Sequence, residues 1–235
     1  MQFVFAPAPQ PWLPVSGEAK RFPVRRIWCV GRNYAAHARE MGSDPEREPP
    51  FFFAKPADAI VPPVAGDDDC GPQPYPPATA SLHHEVELVV ALHGGGRDLD
   101  ADQALAAVYG YGVGLDLTRR DLQTQAKHAG RPWDMAKGFD RSAPCSALVP
   151  AARLGHPRAG AVTLAVNGTE RQRGDLRDLI WPVAETLMHL SRLVALQAGD
   201  LVYTGTPEGV GPLLPGDQVH AQIAGVGQLR LAILP

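Results

Sequence analysis

The sequence predicts a mixed, β-rich α+β fold on three observations. Glycine and proline number 24 each in 235 residues, about a fifth of the chain, and cut it into pieces in which few long helices fit. Short apolar runs rich in β-branched residues recur between these breakers, as strands with turn-rich flanks do. Three segments read as helices. A hydrophobic content of 45% supplies a sizeable core for a chain of this length.

In chain order, strands are expected at 27–30, 50–54, 86–92, 109–115, 162–166, 201–204, 218–223 and 229–233, paired mostly antiparallel. One helix is expected at 33–41. A second is expected at 101–108, with Asp100 as its N-cap and Gln103 completing a capping box. A third, at 182–193, places Val183, Leu187, Leu190 and Val194 at helical spacing, an apolar face suited to a core. Asn167-Gly168 between apolar runs reads as a two-residue hairpin turn. Residues 62–77, rich in Pro, Gly and Asp, read as a surface loop, and Asp67, Asp68 and Asp69 within it as solvated, because adjacent acids share no fixed face. His93-Gly94-Gly95-Gly96 reads as a hairpin loop. An esterase oxyanion tripeptide would need a Gly-x-Ser-x-Gly elbow, which the chain lacks.

The 22 basic and 25 acidic residues leave a formal charge of -3 with no Lys/Arg block, so neither nucleic acid nor an anionic membrane is an expected partner. A small molecule is. Cys29, Cys70 and Cys145 are odd in number, scattered and outside any Cys-x-x-Cys pair, which argues against a disulfide framework and a zinc site and for a reducing cytoplasm. The start Met1-Gln2-Phe3-Val4-Phe5 has no basic lead into a long apolar core, and no stretch approaches the ~20 apolar residues of a membrane span.

Residues 83–90 alternate polar and apolar before an apolar stretch. Read as a strand, they put Glu85 and Glu87 on one face, roughly 6.6 Å apart. Asp116 follows a second, Gly-rich strand, Tyr109-Gly110-Tyr111-Gly112-Val113-Gly114-Leu115. The three can converge on a hard divalent cation, which would neutralise their repulsion. Taken alone, the Glu-x-Glu pair is better explained by acids facing water. His37 and Glu40, three apart on the first helix, form a carboxylate–imidazole pair that can activate water, although a lone helical histidine more often lies on a surface. Gly209-Val210-Gly211 and Gly112-Val113-Gly114 lack the third glycine of a dinucleotide fingerprint.

Company changes these odds. Gly31-Arg32-Asn33-Tyr34, His37-x-x-Glu40, Phe53-Ala54-Lys55-Pro56, His84-Glu85-x-Glu87, Gly114-x-Asp116-x-Thr118-x-Arg120-Asp121-x-Gln123, Ala136-Lys137-x-Phe139-Asp140 and Thr204-Gly205-Thr206-Pro207-x-Gly209-Val210-Gly211 occur in one order. Together they closely resemble the fumarylacetoacetate hydrolase family, from about Arg25 onward. The resemblance is closest to its short acylpyruvate-hydrolase branch, and the Phe3-Val4-Phe5-Ala6-Pro7 start resembles its bacterial fumarylpyruvate-cleaving members.

The resemblance implies a β-sandwich-like roll with few peripheral helices. It implies a homodimer and a catalytic domain over residues 25–235 behind an N-terminal extension of residues 1–24. It implies Glu85, Glu87 and Asp116 as ligands of Mg²⁺ or Mn²⁺, oxygen donors being what hard cations take. The implied substrate is a 2,4-dioxo acid such as fumarylpyruvate, held by Arg120, Gln123, Lys137 and Thr206. Glu40 orients His37, which draws a proton from the attacking water, and Lys137 stabilises oxygen charge as pyruvate enolate leaves. Oxaloacetate decarboxylation shares that leaving group and is the alternative reaction, with decarboxylation or isomerisation of other 2-oxo-dicarboxylates beside it. A distal substrate carboxylate would want another cation, for which Arg39, Arg47 and Lys55 are available.

Overall fold

The computed structural model describes residues 2–40 and 48–234, the side chains of Ala38 and Glu40 excepted. Six strands form the larger sheet, in the order Val149–Pro150, Val108–Leu115, Val86–Leu92, Asp200–Tyr203, Arg26–Gly31 and Phe51–Lys55. Its neighbours are antiparallel except Asp200–Tyr203 beside Arg26–Gly31. Five strands form the second sheet, in the order Thr169–Asp175, Ala161–Val166, Gln218–Ile223, Gly227–Leu234 and Asp69–Pro74, the last pair parallel. A smaller sheet sets Leu82–His84 between Thr118–Arg119 and Gly211–Leu213.

The alternation of the second sheet fixes which side it buries. In Gln218–Ile223 every second residue is buried, and Val219, Ala221 and Ile223 share one core with Val86, Leu88, Val90 and Leu92 of the larger sheet. The larger sheet is covered on its other side too. There Val89 and Ala91 join Leu13, Phe22, Ile27, Tyr203 and Leu148, with Leu13 and Phe22 coming from the small hairpin of Trp12–Pro14 and Arg21–Pro23. Val86–Leu92 is therefore buried along its whole length, which is why its sequence is apolar at every position but Glu87. A charged residue on this strand has no solvent face to occupy.

The expected helices appear as Ala35–Glu40, Ala101–Ala106 and Val183–Leu193, with Met41 outside the described residues. The capping box is present: Asp100 Oδ1 accepts from the Gln103 amide at 2.9 Å, and Gln103 Oε1 from the Asp100 amide at 3.1 Å. Val183, Leu187 and Leu190 enter the main core and Val194 packs against it. Asn167 and Gly168 both take left-handed φ, 52° and 77°, as a twisted hairpin turn requires.

Three readings change. Residues 62–77 are not simply a loop, since Asp69–Pro74 forms an edge strand parallel to Gly227–Leu234; an edge tolerates its prolines because their missing N–H faces no partner. His93 through Gly96 does join two antiparallel neighbours, Val86–Leu92 and Val108–Leu115, but as the start of a longer connection containing the helix Ala101–Ala106 rather than a simple hairpin loop. The helices Arg120–His128 and Asp134–Lys137 have no counterpart among the expected elements, because their polar sequences lack an apolar stripe. Asp68 pairs with Arg230 at 3.1 Å, and Asp69 Oδ1 accepts from the Gly71 amide at 2.8 Å, so the acidic triplet is divided among separate partners.

Leu187 is fully buried in the main core, and truncating it leaves a cavity between the helix and the sheets. Leu187→Ala is expected to cost about 2–5 kcal/mol, read as a lower midpoint in chemical denaturation; a loss under 1 kcal/mol would show that the helix is not anchored there.

Candidate active site

Glu87 is paired with Gly114 across the strands Val86–Leu92 and Val108–Leu115, and the Asp116 amide donates to the Glu85 carbonyl at 2.9 Å. Adjacent register positions on one face bring carboxylate oxygens of Glu85, Glu87 and Asp116 within 4.8 Å of one another, all three residues being buried. Gly114 makes that approach possible. A Cβ there would lie 2.5 Å from Val89 Cγ2 and 2.6 Å from the Tyr203 ring.

Lysines accompany the acids. Lys137 Nζ, carried by the helix Asp134–Lys137, reaches Glu85 Oε2 at 2.7 Å and Asp116 Oδ2 at 2.6 Å. Lys55 Nζ approaches the other Asp116 oxygen at 2.8 Å and donates to the carbonyls of Leu117 and Lys137. Arg120 pairs with Glu85 and with Gln123 Oε1. Burial pushes the Glu85 carboxyl up, but the Lys137 ammonium and Arg120 guanidinium override it and hold it well below the usual carboxylate range. Burial would lower the Lys137 pKa, and Asp116 and Glu85 raise it instead to about 12. Glu87 is different. It accepts the Gly205 amide at 2.7 Å but has no ammonium or guanidinium within ion-pair reach among the described residues, and burial, then the charges of Asp116 and Glu85, push its pKa well above normal.

Glu85, Glu87, Asp116, Arg120 and Lys137 line a cleft together with His37, Gln123, Thr206, Arg32, Lys127 and the rings of Phe51, Phe53 and Trp133. His37 is buried against it on the helix Ala35–Glu40. Glu40 ends that helix, its side chain lying outside the described residues. Gln123 gives its carbonyl oxygen to Arg120, leaving its amide N–H groups for the cleft. Thr206 spends its one O–H on the Val86 carbonyl at 2.8 Å, so toward a bound acid its hydroxyl can only accept. Lys55 is buried beneath Asp116 and does not reach the cleft as a cation for a distal carboxylate; Arg39 is exposed, and Arg47 lies outside the described residues.

Two structural residues escaped sequence reasoning. Gln172 stands buried in the otherwise exposed and charged strand Thr169–Asp175, where nothing local marks it. Its Oε1 accepts the Val86 amide at 3.2 Å and faces His84 Nδ1 at 2.9 Å, and its Nε2 donates to Thr206 Oγ1 and the Pro207 carbonyl, both at 2.9 Å. One amide thus ties the Glu-bearing strand to the Thr206 loop. Asn33, noted only as part of a motif, donates to the Trp181 and Thr204 carbonyls at 3.0 and 2.8 Å and accepts the Trp181 amide at 2.8 Å. Its backbone crowds Gly205 (φ 98°), where a Cβ would fall 2.7 Å from Asn33 Cβ.

The donor set fits Mg²⁺ or Mn²⁺: three carboxylates, no thiolate or imidazole in the cluster, and one of them buried without a cationic partner. A cation held there must displace the proton that the raised Glu87 pKa retains. Mn²⁺ affinity is therefore expected to climb with pH, by up to about tenfold per unit below the Glu87 pKa, with proton release on binding. Calorimetry in buffers of different ionisation enthalpy checks this, and pH-independent affinity with no proton release contradicts it.

Comparison with known proteins agrees with this geometry. Residues 26–234 match the family model described as fumarylacetoacetate (FAA) hydrolase C-terminal. The crystal structure of fumarylpyruvate hydrolase from Pseudomonas aeruginosa in complex with Mn²⁺ and pyruvate is 53% identical, covers 99% of each chain and superposes with a TM-score of 0.96. Oxaloacetate tautomerase YcgM of Escherichia coli is 42% identical over 205 residues, 87% of this chain and 90% of that protein. Fumarylpyruvate hydrolase of a Ralstonia species is 40% identical over 192 residues, 82% of this chain and 96% of that protein. A match along nearly the whole chain, at identities of this size, places the chain in the fumarylacetoacetate hydrolase family.

Proposed function

We propose that this protein is a Mg²⁺- or Mn²⁺-dependent hydrolase that cleaves the C–C bond of acylpyruvates, with fumarylpyruvate as the substrate and fumarate and pyruvate as the products. The observation that carries the reading is the buried Glu85–Glu87–Asp116 cluster facing His37 across one cleft, in a chain 53% identical to a fumarylpyruvate hydrolase whose structure holds Mn²⁺ and pyruvate. Glu85, Glu87 and Asp116 hold the cation. When bound, it supplies Lewis-acid stabilisation of negative oxygen charge.

The chain's own groups do the rest. Arg120, Lys137 and the free amide of Gln123 receive the pyruvate carboxylate and its neighbouring oxygen, offsetting the negative charge of the acids. His37, oriented by Glu40, takes a proton from water as its oxygen bonds to C4. The C3–C4 bond then breaks, its electron pair passing to C3 as the enolate of pyruvate, and a proton returned to C3 completes the product. Lys137, which pairs with Glu85 and Asp116, stabilises the enolate oxygen in this reading. We place this chemistry in one catalytic domain over residues 25–235, acting as a homodimer in the cytoplasm.

The 42% identity to an oxaloacetate tautomerase supports a second reading, in which the same site enolises oxaloacetate without an attacking water. The two differ in their need for a general base toward water. Incubating the protein and Mn²⁺ with fumarylpyruvate, acetylpyruvate and oxaloacetate, and identifying products, separates them: fumarate and pyruvate in equal amounts are expected from the first.

Glu87→Gln and Asp116→Asn are each expected to abolish turnover and weaken Mn²⁺ binding at least tenfold, as is a chelator in excess; full turnover in chelator rules out the metal-dependent reaction. His37→Ala is expected to reduce acylpyruvate hydrolysis by about 10²–10⁴-fold while Mn²⁺ affinity stays unchanged. Oxaloacetate enolisation should fall less. Wild-type hydrolysis by that variant would place the base elsewhere.

A further inference from the structure

We propose that Arg32 binds a second carboxylate at the far end of the substrate, so that the cleft selects acylpyruvates carrying acid groups at both ends. This rests on the acylpyruvate reading above and adds the group that discriminates among such substrates.

Charge partnership singles out the residue. Four cationic side chains other than histidine line the cleft: Arg32, Arg120, Lys127 and Lys137. Arg120 and Lys137 are committed to Glu85 and Asp116. Arg32 and Lys127 have no carboxylate within ion-pair distance among the described residues. Lys127 is exposed at the rim, whereas Arg32 is half-buried, its guanidinium 5.7 Å from the centre of the Phe51 ring. With a divalent cation bound, the positive groups outnumber the three acids by more than one substrate carboxylate can balance. A second carboxylate is what this excess accommodates.

Backbone and spacing agree. Arg32 holds φ at 58°, a left-handed conformation costly for any residue with a Cβ, and it follows Gly31, where a Cβ would fall 2.0 Å from the Phe51 ring. The chain is thus bent so that the arginine and the ring share the cleft wall. Arg120, Gln123 and Lys127 line the cleft from one face of the helix Arg120–His128, so at ~1.5 Å per residue the cleft runs roughly 10 Å along that helix, long enough for a diacid. The six bonds between the carboxyl carbons of a seven-carbon diacid cover roughly 7 Å, as two extended residues do. Phe51 and Phe53 line the same cleft, edge-on to Trp133 at 5.3 and 5.9 Å, and give it an apolar surface suited to a conjugated chain.

Binding tests this without turnover. Mn²⁺-loaded protein is titrated calorimetrically with 2-oxoheptanedioate and 2-oxoheptanoate, which differ only in the distal carboxylate and lack the 4-oxo group needed for cleavage. The wild type is expected to prefer the diacid by about 10–100-fold, the range of a hydrogen-bonded charge pair. Arg32→Asn, chosen because asparagine tolerates left-handed φ, should shrink the preference to under about 3-fold, and Arg32→Lys should retain most of it. A wild type without preference, or a preference that survives in Arg32→Asn, overturns the proposal. If the diacid preference is present and Arg32-dependent but fumarylpyruvate is not cleaved, the distal subsite stands and the hydrolase reading falls.

Discussion

Three carboxylates packed at adjacent positions on one face of a covered sheet cannot stay ionised without positive charge around them, and much of the local structure supplies it. Lys55 and Lys137 take one oxygen each of Asp116, and Lys137 and Arg120 divide Glu85. Of the segments that deliver these cations, Asp134–Lys137 and Arg120–His128 are short helices, the longer of them polar and mostly outside the core, and Phe51–Lys55 is an edge strand of three phenylalanines ahead of its lysine. Electrostatic pairing with the acids gives them a reason to dock. Breaking such pairs leaves uncompensated buried charge, which makes the arrangement far less tolerant of change than a surface ion pair.

Glu87 is the exception within that cluster, and its isolation gives the site its affinity for a cation. Protein cations neutralise its two neighbours, while among the described residues Glu87 has the Gly205 amide and no ion-paired cation. The amide belongs to the loop that also presents Thr206, and Gln172 and Asn33 fix that loop by side-chain hydrogen bonds to backbone groups on both sides. The second sheet therefore does more than cover a core. Through Gln172 it holds the register between the acid-bearing strand and the loop facing it, across a distance that apolar packing alone would leave adjustable.

Much of the fold was legible in the sequence. The strands with β-branched runs, the capping box at Asp100 and the Asn167-Gly168 turn follow local rules, because each depends on a few neighbouring residues. What local rules missed has a common cause. Asp69–Pro74 is a strand only because Gly227–Leu234 lies beside it, and Arg120–His128 is a helix with no apolar stripe, positioned by Arg120 on Glu85. In the site, spacing was enough to place Glu85 and Glu87 on one face, and the motif series to bring Asp116, His37 and Lys137 to them.

Sequence by itself determined the composition of the cleft: which acids, which base and which cations are available, and that the acids alternate along one strand. Tertiary structure decided their allegiance. Lys55, as available in sequence as any other lysine, is buried under Asp116, while Arg32, read only as part of a motif, stands in the cleft wall with no ion-paired acid among the described residues. Whether a charge is paired or free depends on contacts between residues far apart in the chain, and on how much water each retains. Local spacing encodes neither.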